Sequence, residues 1–112
     1  MRRTVFGEIL YKRYIKNKSS EELVKLLQEQ KAVHEYDFWK IVENRFPYTV
    51  ATHHLLIPKN NVADLNSLDY YALAEYKHLK KNVIPKLYDA VLINSDKARS
   101  VKFLYHEHLF KY

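Results

Sequence analysis

The sequence predicts a single α+β domain built on a mostly antiparallel sheet. The chain has 112 residues, a length typical of one domain. Hydrophobic residues make up 47% of it and aromatic residues 14%, which is enough for a hydrophobic core. The predicted elements run in the order helix, two strands, long helix, two strands. This order is typical of helices packed against an antiparallel sheet.

The first 35 residues are predicted to form an extension that contains a helix. Residues 4–15 mix apolar and charged side chains and fit either a strand or a short helix. After a polar break, Ser19 and Glu22 have the spacing of a capping box, which marks a helix start. The helix that follows has a leucine face at helical spacing and is predicted to continue to Val33.

Two strands are predicted next, over residues 37–43 and 49–57, because both are rich in β-branched and aromatic side chains. Asn44 and Pro47 favour a turn between them, and Pro58 is expected to end the second strand.

A long amphipathic helix is predicted after this pair of strands. Asn66 or Ser67 can cap it, and apolar residues recur at helical spacing as far as Val83. Pro85 is expected to kink or stop this helix, because proline lacks the backbone N–H group. Two further strands are predicted over residues 90–93 and 100–110.

The last predicted strand carries His106 and His108. A spacing of two points both imidazoles to one face of a strand, about 7 Å apart, and Glu107 to the other face. Two imidazoles on one face can act as nucleophile and acid/base. Together with His53 or His54 they could instead bind a metal ion, or they could be ordinary surface histidines. The residues alone leave these alternatives open.

Composition excludes several classes of site. The absence of cysteine excludes disulfides, thiolate nucleophiles and sulfur-based zinc sites. A single glycine excludes a glycine-rich phosphate loop. No apolar run approaches the roughly 20 residues of a membrane span, and the apolar start breaks at Glu8, so neither a membrane segment nor a secretory signal is expected. A cytoplasmic location is therefore predicted.

The net charge of +6 should attract anions such as nucleotides or nucleic acid. The basic residues look dispersed along the sequence, without a long lysine or arginine run. This pattern favours a small anionic ligand over a nucleic acid.

Five short segments in order resemble the histidine-triad (HIT) family of nucleotide hydrolases and transferases. They include an Asn-Arg-Phe-Pro-Tyr turn, a His-His-Leu-Leu-Ile-Pro-Lys strand and a closing His-Glu-His-Leu-Phe segment, and they lie at residues 44–48, 53–59, 64–68, 94 and 106–110. The resemblance covers residues 36–112. It implies a HIT-like fold, a nucleotide or nucleotide conjugate as ligand, and a homodimer.

The resemblance also implies a role for each matched residue. His106 falls at the position of the nucleophile that forms a nucleotidyl-histidine, and His108 at that of the histidine that contacts phosphate or the leaving group. A protonated His108 would stabilise negative charge on the leaving oxygen. His53 should lie beside this dyad. The residues expected to bind substrate are Asn44 and Phe46 along the ribose and base, His53 beside the dyad, and Asn94, Arg99 and Ser100 at the phosphate.

The chain departs from the family pattern at three places. Leu104 stands where the first histidine of the triad is expected, Glu107 replaces an apolar residue, and the loop at residues 98–101 lacks glycine. The backbone carbonyl of Leu104 could still orient His106, and Arg99 could replace the lost loop amides at a phosphate. No cofactor is required by the mechanism, although Mg²⁺ could accompany a polyphosphate substrate. The alternative is a nucleotide- or nucleic-acid-binding module that has lost turnover.

Overall fold

The computed structural model describes residues 2–95, 101 and 103–112. The elements are α1 Val5–Lys16, α2 Ser20–Glu29, β1 Ala32–Glu35, β2 Trp39–Glu43, β3 Thr52–Pro58, α3 Tyr70–His78, α4 Ile84–Leu87, β4 Ala90–Leu92 and β5 Glu107–Lys111. The five strands form one sheet in the order β1-β2-β3-β5-β4, in which every neighbouring pair is antiparallel. The predicted α+β fold class is confirmed.

Residues 4–15 fit either a strand or a short helix by sequence, and the structure shows that they form helix α1. Thr4 caps it by accepting a hydrogen bond from the backbone N–H of Gly7 at 3.0 Å. None of its side chains is fully buried, and Val5 and Phe6 are 81% and 69% exposed. The helix therefore lies on the outside of the domain.

The predicted capping box at the start of α2 is confirmed. Ser19 Oγ accepts from the Glu22 backbone N–H at 3.1 Å, and the Glu22 carboxylate accepts from the Ser19 backbone N–H. The helix ends earlier than predicted, at Glu29, and Val33 instead lies in the edge strand β1, which pairs with β2. Because most side chains of β1 are exposed, this strand lacks the apolar alternation by which a strand is recognised.

Strands β2 and β3 form the centre of the sheet, and helices cover both of its faces. On one face, Trp39, Ile41 and Leu56 pack with residues of the long helix. On the other face, Val42, Leu55 and Ile57 pack with Val24 of α2 and with Leu104. The cavity that contains His106 and His108 lies on this second face. Among the described residues, no helix is long and apolar enough to cross a membrane.

The long helix begins at a different residue from the predicted one and passes through Pro85. Asp69, rather than Asn66 or Ser67, caps α3 by accepting from the Ala72 backbone N–H at 2.9 Å. Residues 79–83 wind as a π-helix, so Pro85 falls in the first turn of α4, where a missing N–H is tolerated. The helix therefore does not stop at Pro85 itself but ends at Leu87, and its regular α-helical winding is interrupted just before the proline.

Strand β5 begins at Glu107, so His106 lies one residue before it rather than within a strand over residues 100–110. Glu107 is fully buried on the sheet face opposite the dyad, as predicted. Its carboxylate accepts hydrogen bonds from the hydroxyls of Tyr76 and Tyr105 and pairs with the Lys80 ammonium. The acidic residue at this position is therefore explained by three polar partners.

Candidate functional site

The candidate site is a cavity of about 80 Å³ between helices α1 and α2 and the sheet. One side is apolar, formed mainly by leucines of α2 and by Leu55. The other side is polar and contains the imidazoles of His106 and His108. The remaining lining residues include Arg3, Tyr11, Tyr14, Ile15, Gln30, Asn44, Arg45, Phe46 and Val101.

His106 is oriented by the backbone. Its Nδ1 lies 3.0 Å from the carbonyl oxygen of Leu104, the interaction expected from the sequence. Since a carbonyl can only accept, Nδ1 carries the proton and the basic lone pair lies on Nε2. A leucine at position 104 supplies this carbonyl as well as a histidine would.

The tautomers of His53 and His108 follow from a second chain of hydrogen bonds. The Tyr48 backbone N–H donates to His53 Nδ1 at 3.0 Å, so the proton of a neutral His53 lies on Nε2. That Nε2 lies 2.8 Å from Nδ1 of His108 and donates to it. His108 therefore keeps its own proton on Nε2, which lies 3.4 Å from the side-chain amide of Asn94. The expected position of His53 beside the dyad is confirmed.

Burial keeps these two imidazoles neutral. It lowers the pKa of His53 to about 4, with the positive charge of Arg3 as the next contribution. Burial also lowers the pKa of His108 to about 3, with further contributions from His106, His53 and Arg3. Both groups are uncharged near pH 7, where each can only donate one hydrogen bond and accept one.

One expectation about the dyad needs correction. A protonated His108 was expected, but its lowered pKa means that the imidazole is neutral in the unliganded protein. His106 is only 5% exposed, because α1 and α2 cover it. Leu104 is fully buried in the apolar cluster against α2 and fills the position of the missing histidine.

The residues expected along the nucleoside lie in the same cavity. The Asn44 side-chain oxygen accepts from the Phe46 backbone N–H at 2.9 Å, and Asn44 Nδ2 lies 3.2 Å from His53 Nε2. The Phe46 ring packs against Tyr14, with 4.9 Å between ring centroids. Asn94 adjoins His108 as described above. Arg99 and Ser100, expected at the phosphate, lie outside the described residues.

Sequence reasoning missed the contribution of the N-terminal segment. Arg3 donates from Nε to the Phe46 carbonyl at 2.6 Å, and its guanidinium carbon lies 3.9 Å from the Tyr11 ring centroid and 4.9 Å from that of Tyr48. Tyr14 lies on the same inner side of α1. No local motif marks these residues, because they reach the site only through the packing of α1.

The three-histidine metal site considered from the sequence does not form. In the part of the chain that the structure describes, no three histidine or carboxylate side chains are arranged to hold a metal ion. His54, the fourth candidate, points to the opposite sheet face and bonds to the Tyr88 hydroxyl at 2.6 Å. The facing nitrogens of His53 and His108 bond to each other, so their lone pairs do not converge on one point.

Comparison with solved structures identifies the fold. A protein described as HIT-like shares 20% identity and a TM-score of 0.58 over 80% of this chain and 96% of its own length. A histidine-triad protein from Clostridium difficile shares 17% identity and a TM-score of 0.56 over 85% of this chain and 94% of its own.

The chain has a HIT-like fold.

A third structure, named HTC1, matches over 97% of this chain and 75% of its own length, with 17% identity and a TM-score of 0.61. A HIT family hydrolase from Clostridium thermocellum also matches, at 17% identity and a TM-score of 0.52. No protein-family model matches the sequence, and no curated protein matches it. At these identities the likeness establishes the HIT-like fold, and the function has to be argued from the cavity.

Proposed function

We propose that the protein is a nucleotide hydrolase or nucleotidyltransferase that acts at a nucleotide α-phosphate through a nucleotidyl-His106 intermediate. The observation that carries the proposal is the hydrogen bond from His106 Nδ1 to the Leu104 carbonyl, which puts the lone pair of a neutral imidazole on Nε2. The HIT-like fold and the polar end of the cavity support the same conclusion.

The proposed reaction has two steps. In the first, Nε2 of His106 attacks the α-phosphorus, and the bond from phosphorus to the leaving group breaks with its electron pair on the leaving atom. In the second, water or the hydroxyl of another acceptor attacks the same phosphorus and loses its proton to solvent, and the electron pair of the phosphorus–nitrogen bond returns to Nε2. Each half-reaction is easier than direct displacement by water, which is the advantage of a covalent intermediate.

His108 is proposed to stabilise the leaving group as a hydrogen-bond donor. In the tautomer set by His53, its Nε2 carries a proton that can bond to the oxygen on which charge develops. The neutral imidazole of His108 can donate this hydrogen bond without first being protonated. The negative charge of a bound phosphate would raise the pKa of His108. The proposed mechanism requires no metal ion, and Mg²⁺ would be present only as an ion bound to a polyphosphate substrate.

The test is to trap the intermediate. The protein is incubated with a panel of adenylated and guanylated compounds and quenched, and its mass is measured for an added nucleoside monophosphate. His106→Asn is the sharpest variant, because its amide can still donate to the Leu104 carbonyl but cannot act as nucleophile. His34→Asn is the matched control, since His34 is exposed on β1. We expect the adduct in the control and none in His106→Asn. An adduct that persists in His106→Asn would refute the role of this residue.

The role of His108 has its own test. We expect His108→Ala to retain partial activity, and to lose less with good leaving groups than with poor ones, because good leaving groups need less stabilisation of charge. Equal losses for both kinds of leaving group would contradict the donor role.

A second candidate function is a binding module of the same fold without turnover. It is favoured by Leu104, an apolar residue that fills the position expected for the first triad histidine. Both candidates predict nucleotide binding, and only turnover separates them. Tight binding of a nucleotide, measured by calorimetry, with neither an adduct nor product would support the binding module.

We further propose a homodimer and a cytoplasmic location. Strand β4 is a sheet edge. Val91 within it and Ile93 just after it are 37% and 50% exposed, so a second copy could pair there. The location rests on the lack of cysteine. Light scattering at micromolar concentration tests the assembly, and a monomeric mass would contradict it.

A further inference from the structure

The lining of the cavity carries positive charge without a matching negative charge. Of the described residues that line it, two are cations, Arg3 and Arg45, and none is a carboxylate. At the polar end, His108 is neutral near pH 7 because burial lowers its pKa. A concave site lined by charge of one sign attracts ligands of the opposite sign. The lining therefore suits an anionic group.

Arg3 is the more deeply placed of the two cations. Its side chain is only 10% exposed. Arg45, by contrast, is exposed and donates to the Tyr14 hydroxyl at 3.2 Å. The Arg3 guanidinium lies over two aromatic rings, those of Tyr11 and Tyr48, which limit its movement. Arg3 is therefore a nearly buried cation with a fixed orientation at the cavity.

The guanidinium of Arg3 keeps donors for a ligand. Its Nε donates to the Phe46 carbonyl at 2.6 Å, and its Nη1 lies 3.3 Å from the Glu8 carboxylate. A guanidinium has five N–H groups, and within the described part of the chain these contacts use two of them. Glu8 is 40% exposed, and an ion pair that faces water contributes little. The protein itself therefore compensates the charge of Arg3 only in part.

The charge of Arg3 also acts on the histidines. It contributes to the lowered pKa values of both His53 and His108. The Tyr48 ring that contacts the guanidinium is stacked on the His108 ring, with 5.9 Å between ring centroids and 12° between the ring planes. A phosphate held at the dyad would consequently lie within range of the Arg3 charge.

We propose that Arg3 binds the phosphate of a nucleotide in this cavity, so that the N-terminal segment supplies a cation of the active site. The proposal rests on the proposed function for the identity of the ligand, and it adds a catalytic residue to the two histidines. The Nη groups of Arg3 would donate to non-bridging phosphate oxygens, with which a guanidinium forms charge-assisted hydrogen bonds. The same donors would stabilise charge that develops on these oxygens when His106 attacks.

A purely structural role is the competing explanation for Arg3. Its hydrogen bond to the Phe46 carbonyl attaches the N-terminal segment to the turn after β2. The incomplete compensation of its charge, in a lining whose described residues include no carboxylate, favours the role in binding. The two roles predict different results, because loss of a structural anchor would affect every ligand of the cavity. Loss of a phosphate contact would affect only ligands that carry a phosphate.

The test compares ligands with and without a phosphate. Arg3→Gln removes the charge, and Arg3→Lys keeps the charge but loses the planar fork of donors. Arg13→Gln is the matched control, because Arg13 is an exposed cation of α1 outside the described lining of the cavity. Adenosine and guanosine monophosphate, their nucleosides and inorganic phosphate are titrated into each protein by calorimetry. Thermal unfolding checks that each variant is folded.

We expect Arg3→Gln to weaken nucleotide binding roughly 10- to 100-fold, the range of a hydrogen bond to a charged group. The affinity for the corresponding nucleoside should be unchanged. Arg3→Lys should bind the nucleotide with intermediate affinity, and Arg13→Gln should bind every ligand as the wild type does. If Arg3→Gln does not fold, Arg3→Lys carries the same comparison, because loss of the fork should weaken binding of the nucleotide and not of the nucleoside.

Other outcomes would overturn the proposal. Equal losses of nucleotide and nucleoside affinity in the Arg3 variants would make Arg3 a structural anchor. Nucleotide binding that is unchanged in both Arg3 variants would refute its contact with the phosphate while the proposed function stands. If the wild type binds inorganic phosphate through Arg3 but binds neither nucleotide, the proposed function fails and the anion site stands. If the wild type binds none of these anions, both proposals are refuted.

Discussion

Acidification is expected to destabilise the protein through His53 and His108. Each folded-state pKa, about 4 and about 3, is below the value of about 6.5 for an unfolded histidine. Below pH 6.5 the unfolded chain therefore binds protons that the folded protein does not. The stability from these groups is fully present above pH 6.5, and it is lost as the pH falls towards the folded-state values.

The size of the effect follows from these pKa values. Between pH 7 and pH 4, linkage predicts a loss of about 3 kcal/mol in the free energy of unfolding for each imidazole. A domain of this size is stable by only about 5–15 kcal/mol, so the pair could remove much of the stability. The physical cause is that both rings are nearly buried and bonded to each other as neutral groups, and the positive charge of Arg3 further disfavours a charge on either ring.

Urea unfolding at a series of pH values measures this effect. His108→Gln should be less stable at pH 7, because the imidazole that bonds to His53 Nε2 and stacks on Tyr48 is lost, but should lose about 3 kcal/mol less between pH 7 and pH 4 than the wild type. His34→Gln makes the same substitution at an exposed histidine outside the cavity and serves as the control. A His108→Gln variant with the full wild-type pH dependence would refute the account of a buried neutral pair.

Two further predictions concern single positions. Leu104→His restores the histidine of the family pattern. It should destabilise the protein by about 2–5 kcal/mol without raising turnover, because Leu104 fills an apolar cluster. A stable variant with higher activity would contradict this prediction. Glu107→Leu should cost about 3–5 kcal/mol, because it leaves the Lys80 ammonium without its carboxylate, and adding Lys80→Met should recover part of the loss. Thermal unfolding of the single and double variants measures this recovery, and additive losses would show that the two side chains are not coupled.

Local signals in the sequence predicted most of the fold. The capping box of Ser19 and Glu22 marked the start of α2, because a cap depends only on residues within one turn. The long helix was also predicted, from apolar residues that recur at helical spacing. Strands β2 and β3 were predicted because they are buried and rich in apolar residues. The edge strand β1 was missed because its exposed side chains leave no pattern.

The sequence determined which residues could carry the chemistry, and the tertiary structure decided their state. The spacing of His106 and His108 placed them together, and the position of Leu104 identified a carbonyl that could orient the first ring. Sequence could not show that His108 is neutral, because its pKa depends on burial beneath helices far away in the chain. Nor could it show that the packing of the N-terminal segment brings Arg3, Tyr11 and Tyr14 to the cavity. Burial and charge arise from contacts distant in sequence, whereas periodicity and capping arise within a few residues.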